Sequence, residues 1–395
     1  MNNPLTISVD LPSGFKVAAQ TLALGGELKS SICLIRSGTA HLSESIGDLE
    51  QEAAYRHFCA SLESLLAEPD CKPKQVAIDR HPDYLSSKYG QHLATEMNLP
   101  VKKIQHHYAH IASVMADNGL PPDTRPVLGI ALDGLGFGED GTLWGGEILR
   151  ADYRGFQRLG HFQPVAMIGG AAAIHEPWRN TLAHLLPIWD RVTENFADTD
   201  IVRFLLQKPV STMQRMVDSG MNAPLASSCG RLFDGVAAAL GLYREKVAFE
   251  AQAAIALEQA ASTCFEREPA HYNYKISEDN GCLQLDWQPM WLDLLTDIEN
   301  GSETGTIAAR FHRTMIHALS EIGVRLSKQH GLDTVALSGG VFQNKLISTH
   351  LPQALQQAGL SVLQHQRVPA NDSGLALGQA VVAAARIMQG RHLND

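Results

Sequence analysis

A strand, a glycine-rich turn and a returning strand occur twice in this chain, once in each half. In the first half, Leu22 to Gly26 ends a strand in a double glycine, and Thr39 to Ser43 pairs back after a Ser37-Gly38 turn. In the second half, Gly129 to Gly134 leads into a glycine-rich loop, and Thr142 to Leu149 returns. This repetition predicts two lobes built on related sheets, and 395 residues exceed what one hydrophobic core usually supports.

The two lobes are expected to divide near the proline-rich segment 121–126, the best candidate for a linker. The first lobe then covers residues 1–125 and the second covers 126–374. Within the second lobe, residues 265–305 are polar and variable in pattern, and we expect an irregular insert or a small hairpin there. The alanine-rich helix at 375–395 is expected to pack back on the first lobe.

Composition excludes several classes of protein. A formal net charge of −10 argues against a broad electrostatic surface for nucleic acid. The N-terminus lacks signal-peptide features, and no window approaches the ~20 apolar residues of a membrane span. The six cysteines include no Cys-x-x-Cys pair, which excludes a zinc ribbon and argues against a disulfide framework. We therefore expect a cytoplasmic protein without membrane or nucleic-acid partners.

The segment His106-His-Tyr-Ala-His110 places two imidazoles four residues apart on one face of a predicted helix. Their Cβ atoms would lie about 5–6 Å apart, close enough for both rings to hold one metal ion. Asp133 and Asp372, each beside a glycine-rich turn, can bring carboxylates to the same point. Histidine and carboxylate ligands suit zinc or ferrous iron, so the pattern predicts a site for one divalent metal. The alternative is two ordinary histidines on a helix surface.

The histidine pair does not predict a zinc peptidase. That chemistry needs a glutamate base directly after the first histidine, and His107 occupies this position. We therefore expect His107 to support the site or the fold.

Glycine-rich turns at three strand ends favour a phosphate-bearing ligand between the lobes, because a purine, ribose or phosphate can lie against bare backbone. Within these turns, the residues that we assign to nucleotide binding are Gly134, Gly136, Gly339, Gly340 and Asn344. None of the turns matches the P-loop or the dinucleotide fingerprint. Each one alone is a weak signal, since glycine turns often only cap a strand.

Three further polar residues are considered for the ligand site, in addition to the five residues of the glycine-rich turns: Lys29, Asp234 and Cys229. Lys29 lies between two predicted strands, where it is free to meet an anion. Asp234 lies near the first turn of a predicted helix, where it either favours the helix dipole or contacts a ribose. Cys229 is not assigned as a nucleophile, because the sequence provides no identifiable base for it.

Together these motifs resemble the C-terminal, large domain of the HypF carbamoyltransferases of nickel–iron hydrogenase maturation. The resemblance spans residues 20–380 in the family's order, and it is carried by Leu24-Gly-Gly-Glu-Leu-Lys29, Ile46 to Glu50, Asp79 to Tyr84, His106 to His110, Leu132 to Gly138, Trp144 to Glu147, Glu176 to Arg179, Leu337 to Asn344 and Asn371 to Gly378. The domain is similar to the subunit that transfers threonylcarbamoyl to tRNA. Both belong to the actin-like (ASKHA) superfamily, so the resemblance implies an α/β fold of two ribonuclease-H-like lobes around a nucleotide cleft.

The resemblance also implies a reaction. Carbamoyl-adenylate, derived from ATP, would lie in the cleft beside the metal, and its carbamoyl group would pass to the C-terminal cysteine of HypE as the precursor of a cyanide ligand. The residues implied to hold the metal are His106, His110, Asp133 and Asp372. Those implied to be catalytic are Asp133, Lys29 and Arg179, and Asp234 and Glu250 join the residues implied to bind the nucleotide.

Two departures from the family pattern bear on this function. Family members usually carry an acylphosphatase domain, zinc-binding segments and a YrdC-like domain before this one, and none of them fits before Thr21. A separate YrdC-like activity is therefore expected to supply the adenylate. The usual Pro-Gly-Gly-Asp-x-x-x-Arg-Glu-Pro stretch is also altered, with Ile168, Ala171 and His175 in place of the proline, the acid and the arginine.

Two alternatives remain open at this point. One is a threonylcarbamoyl transferase acting on tRNA, which a basic patch beside the cleft would favour. The other is a non-catalytic, nucleotide-binding regulatory subunit, which the substitutions Ala171 and His175 motivate. The presence of both helix histidines and both aspartates argues against the second alternative.

Overall fold

The first lobe is a sheet of six strands with helices on its faces. The computed structural model of the chain describes residues 4–392. The strands are β1 (Leu5–Asp10), β2 (Thr21–Ala23), β3 (Cys33–Arg36), β4 (Thr39–Ser43), β5 (Gln75–Asp79) and β6 (Val101–Ile104), in the spatial order β1-β4-β3-β2-β5-β6. The helices in this part of the chain are α1 (Glu52–Leu66), α2 (Leu85–Glu96) and α3 (His106–Asp117).

The second lobe is built on a sheet of nine strands. They are β7 (Val127–Phe137), β8 (Leu143–Ala151), β9 (Phe156–Phe162), β10 (Val165–Ala166), β11 (Leu225–Ala226), β12 (Lys275–Asp279), β13 (Cys282–Asp286), β14 (Thr334–Ser338) and β15 (Ser361–Leu363). The main path runs β12-β13-β9-β8-β7-β14-β15, and β11 pairs with both β8 and β10.

The two sheets share one connection scheme. In each, three antiparallel strands follow one another in the chain, and two parallel strands are then added beside the first of them. The parallel additions need crossover connections, which helices supply. The prediction of an α/β fold with two lobes on related sheets is therefore confirmed.

The helices that follow the first lobe in the chain are α4 (Ala172–His175), α5 (Trp178–Leu185), α6 (Trp189–Asn195), α7 (Asp200–Leu206), α8 (Val210–Ser219), α9 (Cys229–Ala239), α10 (Gln252–Ser262), α11 (Gln288–Glu299), α12 (Thr304–His330), α13 (Lys345–Gln357) and α14 (Leu375–His392). Those from α4 to α13 belong to the second lobe. Short 3-10 turns lie at Ser13–Val17, Leu186–Ile188, Phe265–Arg267, Gly340–Gln343 and Asp372–Gly374. Among residues 4–392, none of the helices combines the length and apolar character that a membrane span requires.

Helix α14 follows the second lobe in sequence but packs on α3 and the first sheet. The two helices approach closely at Gly378, where an added Cβ would lie only 1.8 Å from the carbonyl oxygen of Ala109. The amide of Gln379 both accepts a hydrogen bond from Gly25 N and donates one to Gly25 O. These contacts fix the histidine helix between the two lobes. Residues 393–395 of the expected terminal helix lie outside the described part of the chain.

The largest departure from the sequence analysis concerns the glycine-rich segment after Leu132. We expected the strand to end at Asp133, but β7 continues to Phe137 and pairs with β8 from Val127 to Leu132 and again at Gly136 and Phe137. The register shifts between Leu132 and Gly136, which is the mark of a β-bulge. The bulge re-aims side chains at this point, so Asp133 is presented from inside a strand and the turn comes later, at 138–142.

Two other regions differ in detail. Strand β1 precedes Thr21, where the sequence analysis placed no element, and it extends the first sheet by pairing with β4. In the stretch 265–305, the structure contains the hairpin β12–β13, whose second strand joins the sheet beside β9. The following helix α11 was not predicted, and it buries Trp291 and Leu294 in the second core.

Candidate metal centre

Helix α3 starts directly after strand β6, so its first turn lies at the end of the first sheet. Gln105 caps it by accepting a hydrogen bond from Tyr108 N at 2.8 Å. Every residue of the helix is buried, which is unusual for one with three histidines and indicates that those histidines have partners. The rings of His106 and His110 share one face, with centroids 5.0 Å apart.

The structure brings the four predicted ligands together. One ligand atom from each of His106, His110, Asp133 and Asp372 can be chosen so that all of them lie within 4.8 Å of one another. The Nε2 atom of His106 is 3.2 Å from Asp133 Oδ2, and that of His110 is 3.3 Å from Asp372 Oδ1. Two imidazole nitrogens and two carboxylate oxygens around one point form a donor set that suits zinc or ferrous iron.

Both carboxylates are held by backbone structure and reach solvent slightly. The Oδ1 atom of Asp133 accepts a hydrogen bond from Gly340 N at 3.1 Å. Asp372 begins a 3-10 turn that Asn371 caps. The aspartate side chains are 11% and 16% exposed, whereas the two histidines are almost fully enclosed, so a ligand reaches the cluster from the carboxylate side.

The electrostatics of the cluster favour bound positive charge. Burial lowers the pKa of His106, but Asp372, Asp79 and Asp133 outweigh it and raise that pKa well above its ordinary value. Burial raises the pKa of Asp133, but hydrogen bonds from both imidazoles outweigh it and lower that pKa well below the usual range. A divalent cation can replace the imidazolium protons here, because its charge serves the same carboxylates.

Asp79 contacts the cluster through His106, a role that its motif in the sequence did not predict. Its Oδ2 atom lies 2.8 Å from His106 Nδ1, and both side chains are fully buried. The signal that could have found it is its position: like Asp133, it follows a run of apolar residues in a buried strand. A carboxylate on the far nitrogen of a histidine fixes which nitrogen faces the metal.

The four glycines assigned to nucleotide binding have different surroundings. An added Cβ at Gly134 would meet nothing within 4 Å, so this backbone is open. At Gly136 it would lie 2.6 Å from the His107 ring and 2.9 Å from that of His106, so this glycine admits the histidine helix. Gly339 has φ +107°, which only glycine adopts readily, and it delivers Gly340 N to Asp133.

Three residues assigned to ligand binding are engaged with other side chains. Asn344 caps α13 and donates to His312 Nε2 at 3.0 Å, so its amide is used in the fold. Asp234 is buried in an ion pair with Arg231 at 2.7 Å. Glu250 forms an ion pair with Lys29, which joins the two lobes at the surface.

Arg179 and Cys229 lie in distinct settings. The Nε atom of Arg179 donates to Glu176 at 2.7 Å, and its guanidinium stacks on Trp178. Neither Lys29 nor Arg179 therefore pairs with a carboxylate of the cluster in the described residues. Cys229 is buried, and burial raises the pKa of its thiol well above the ordinary value, which agrees with its exclusion as a nucleophile.

A buried ionic network that the sequence analysis did not find holds the N-terminus of α9 beside the bulge in β7. Glu147 is fully buried and accepts hydrogen bonds from Arg158 Nε at 2.6 Å and Ser227 Oγ at 2.5 Å. Ser228 caps α9 and also donates to the carbonyl oxygen of Gly134. This network fixes the open backbone at Gly134 relative to Asp133.

Comparison with protein-family models gives two adjoining matches. Residues 129–379 match the model described as carbamoyltransferase, Kae1-like domain, second subdomain. Residues 16–117 match the model described as the HypF Kae1-like domain. The two matches cover both lobes and all four residues of the cluster.

The curated relatives that this chain matches are named carbamoyltransferase HypF, in agreement with the descriptions of the family models. The chain is 37% identical over 382 residues to carbamoyltransferase HypF of Rhodobacter capsulatus, covering 96% of this chain and 49% of that protein. It is 38% identical over 376 residues to a carbamoyltransferase HypF homolog of Cupriavidus necator, covering 95% and 93%. The chain thus spans about half the length of most curated relatives that it matches and nearly all of one.

Solved structures give the same result. Full-length HypF in a phosphate- and nucleotide-bound form matches with a TM-score of 0.87 and 34% identity, over 97% of this chain and 48% of that one. HypF of T. kodakarensis matches with a TM-score of 0.81 and 26% identity, over 98% and 50%.

Proposed function

The chain belongs to the HypF carbamoyltransferase family, and on that premise we propose that it transfers a carbamoyl group from carbamoyl-adenylate to the C-terminal cysteine of HypE. The product is the precursor of the cyanide ligand of nickel–iron hydrogenase. One observation carries the proposal: His106, His110, Asp133 and Asp372 meet at one point, although they come from distant parts of the chain.

The transfer is a substitution at an acyl carbon. The HypE thiolate attacks the carbonyl carbon of the mixed anhydride, so a carbon–sulfur bond forms and the bond from that carbon to the phosphate oxygen breaks. The electron pair of that bond leaves with AMP. Because thiolate is a strong nucleophile and AMP a good leaving group, positioning and charge stabilisation dominate the catalysis.

The cluster supplies the positioning. The two histidines and two aspartates would hold one divalent ion, iron or zinc, and this ion would act as a Lewis acid and template toward the carbamoyl phosphate group. Asp133 would keep the reacting group near the N–H of Gly340. This N–H donates a hydrogen bond to the Asp133 carboxylate and orients it. The hydrogen bonds that the Nδ1 atoms of His106 and His110 donate to Asp79 and Ser338 would orient the two imidazoles.

The adenylate would lie along the open backbone near the cluster. Gly134 has free space where a Cβ would be. The turn at Gly339 and Gly340 approaches the carboxylate of Asp133, the residue before Gly134. Lys29 and Glu250 would close the other side, because their ion pair connects the lobes. When the adenylate binds, Lys29 could leave Glu250 and pair with a phosphate oxygen. Arg179 could likewise leave Glu176 and pair with a phosphate oxygen.

The proposal also includes a source of carbamoyl-adenylate and a cellular location. A YrdC-like activity would make the carbamoyl-adenylate, and we propose that it acts separately from the Kae1-like residues matched in this chain. The cytoplasm is the proposed location, since the acceptor must be a reduced thiolate.

The direct test supplies metal-loaded protein with carbamoyl-adenylate and HypE and measures carbamoylated cysteine by mass spectrometry. We expect transfer to wild-type HypE and none to HypE whose last cysteine is replaced by serine. Folded, metal-loaded protein that gives no transfer would overturn the enzyme proposal and favour a regulatory subunit. Transfer of threonylcarbamoyl to tRNA instead would assign the chain to the other reaction.

A further inference from the structure

A line of buried polar side chains leads from His110 away from the cluster. The Nδ1 atom of His110 lies 3.4 Å from Ser338 Oγ, which in turn lies 2.9 Å from His365 Nε2. The other ring nitrogen of His365 lies 3.6 Å from Asp117 Oδ2. Asp117 ends the same helix that carries His110, so α3 supplies both ends of the line.

The charge at the far end is fixed. Burial raises the pKa of Asp117, but the contact with His365 and hydrogen bonds from backbone N–H groups of residues 366–368 outweigh it and bring that pKa to about 2. Asp117 is therefore a carboxylate at neutral pH. Burial lowers the pKa of His365, so this ring is neutral and carries one proton.

The carboxylate decides where that proton lies. Nδ1 of His365 is buried and has no hydrogen-bond partner among the described residues, and Asp117 is the charged group beside it. A proton on Nδ1 faces this negative charge, which leaves Nε2 as an acceptor. Ser338 then donates to His365 Nε2 at 2.9 Å rather than to the more distant carbonyl oxygen of Ala370 at 3.4 Å, and its own oxygen is free to accept from His110 Nδ1.

We infer that Ser338, His365 and Asp117 are positioning residues that hold His110 with its Nδ1 atom protonated and its Nε2 lone pair directed at the metal site. The inference rests on the metal site of the proposed function. It gives His110 the counterpart of the Asp79 contact on His106, with a neutral hydroxyl in place of a carboxylate. None of the three residues touches the cluster carboxylates in the described contacts.

Asp117 also has a structural role, so the test uses the other two residues. Its carboxylate accepts hydrogen bonds from Gln366 N at 2.6 Å and Arg367 N at 3.1 Å, which shape the loop that leads to Asp372. Replacing Asp117 would disturb this loop as well as the line of side chains from Asp117 through His365 and Ser338 to His110, which we call the relay. Ser338→Ala and His365→Leu remove the relay without touching those bonds.

The experiment measures zinc affinity by competition with a chelator, without any transfer assay. We expect S338A and H365L each to weaken zinc binding about 10- to 100-fold, as loss of an outer-shell partner does. S338T keeps the hydroxyl and should stay close to wild type. Thr181→Val is the control, because it removes another buried hydroxyl, whose hydrogen bond to Gly235 O at 2.7 Å joins α5 to α9, and neither helix carries a residue of the cluster.

Nitrogen NMR of the zinc-loaded wild type shows which ring nitrogen of His110 binds zinc and which carries the proton. A general loss of packing around the site would not change this assignment. We expect His110 to bind zinc through Nε2 and to show a slowly exchanging Nδ1 proton, which S338A loses. Coordination through Nδ1, or unchanged zinc affinity in both S338A and H365L, would overturn the relay. A wild-type protein that binds no zinc or iron would instead overturn the metal site of the proposed function.

Discussion

The Nδ1 atom of His106 lies 2.8 Å from the Oδ2 atom of Asp79, and this buried contact joins the first turn of α3 to the end of strand β5. It leaves the Nε2 atom of His106 as the one that faces Asp133 and Asp372. The orientation of the imidazole is thus set by the first sheet, while the carboxylates that it faces come from later parts of the chain. The cluster of four side chains depends on both lobes being in place.

Asp79→Asn is expected to weaken zinc binding at least tenfold with little loss of fold, because the amide keeps the shape but not the charge that favours the protonated Nδ1. Chelator competition measures the affinity. Asp83→Asn is the matched control, since Asp83 is exposed and pairs only with Lys88 among the described ion pairs. Equal affinities in the two variants would remove Asp79 from the site.

Replacing His110 by alanine should lower the metal content of the purified protein, because it removes one of the four proposed ligands. Elemental analysis after dialysis against a weak chelator measures the metal per chain. His92→Ala serves as the control, since His92 is largely exposed on α2 and faces Glu96. Unchanged metal occupancy in H110A would show that His110 is not a ligand.

Lys29→Met and Glu250→Gln are expected to raise KM for carbamoyl-adenylate, with the free energy of unfolding changed by less than about 1 kcal/mol. The two side chains are about a third and a half exposed, and exposed ion pairs contribute little to stability. Steady-state kinetics and urea unfolding separate the two effects. Lys88→Met, in another exposed ion pair, should change neither, and unchanged kinetics in K29M would contradict a substrate contact.

Stability is expected to fall as pH drops from 6.5 toward 5. Burial lowers the pKa of His184 to about 3 and that of His312 to about 4. Because each folded-state pKa lies below the unfolded value, the neutral form stabilises the fold above pH 6.5, and this contribution is lost as the pH falls toward the folded-state pKa. Each histidine contributes about 1.4 kcal/mol per pH unit in that window.

Urea unfolding at pH 7 and pH 5 measures this dependence. His184→Phe should reduce the slope by about one proton, because phenylalanine keeps the aromatic contact with Trp291 without titrating. An unchanged slope in H184F would show that His184 is charged, or reaches solvent, in the folded protein.

The meeting of the four cluster side chains could be predicted because the signals for it are local. His106 and His110 have helical spacing, Asp133 precedes Gly134 directly, and Asp372 lies two residues before Gly374. The partners behind the histidines could not be predicted in the same way. Asp79, Ser338 and His365 reach them through contacts between residues 27 to 228 positions apart in sequence, and no spacing rule connects such positions.

The path of the chain around Asp133 was hidden for a different reason. Glycines after an apolar run are typical of a turn, and they are also typical of a β-bulge. Pairing with β8 decides between the two, and pairing is a tertiary property that the residues near Asp133 do not encode. The assignment of Gly136 to the nucleotide rests on the first interpretation, whereas its contacts are with histidine rings.

Gly136→Ala is therefore expected to damage the metal site from the histidine side. The added methyl would lie 2.6 Å from the His107 ring and 2.9 Å from the His106 ring, and both rings are fully buried and have no free space to move into. We expect a loss of about 1–3 kcal/mol of unfolding free energy, together with weaker zinc binding. The matched control is Gly155→Ala, since a Cβ there would meet nothing within 4 Å. Urea unfolding of the metal-free proteins and chelator competition of the loaded ones measure the two effects separately. If G136A matches G155A in both measurements, the packing of Gly136 against the histidine helix does not hold the site in place.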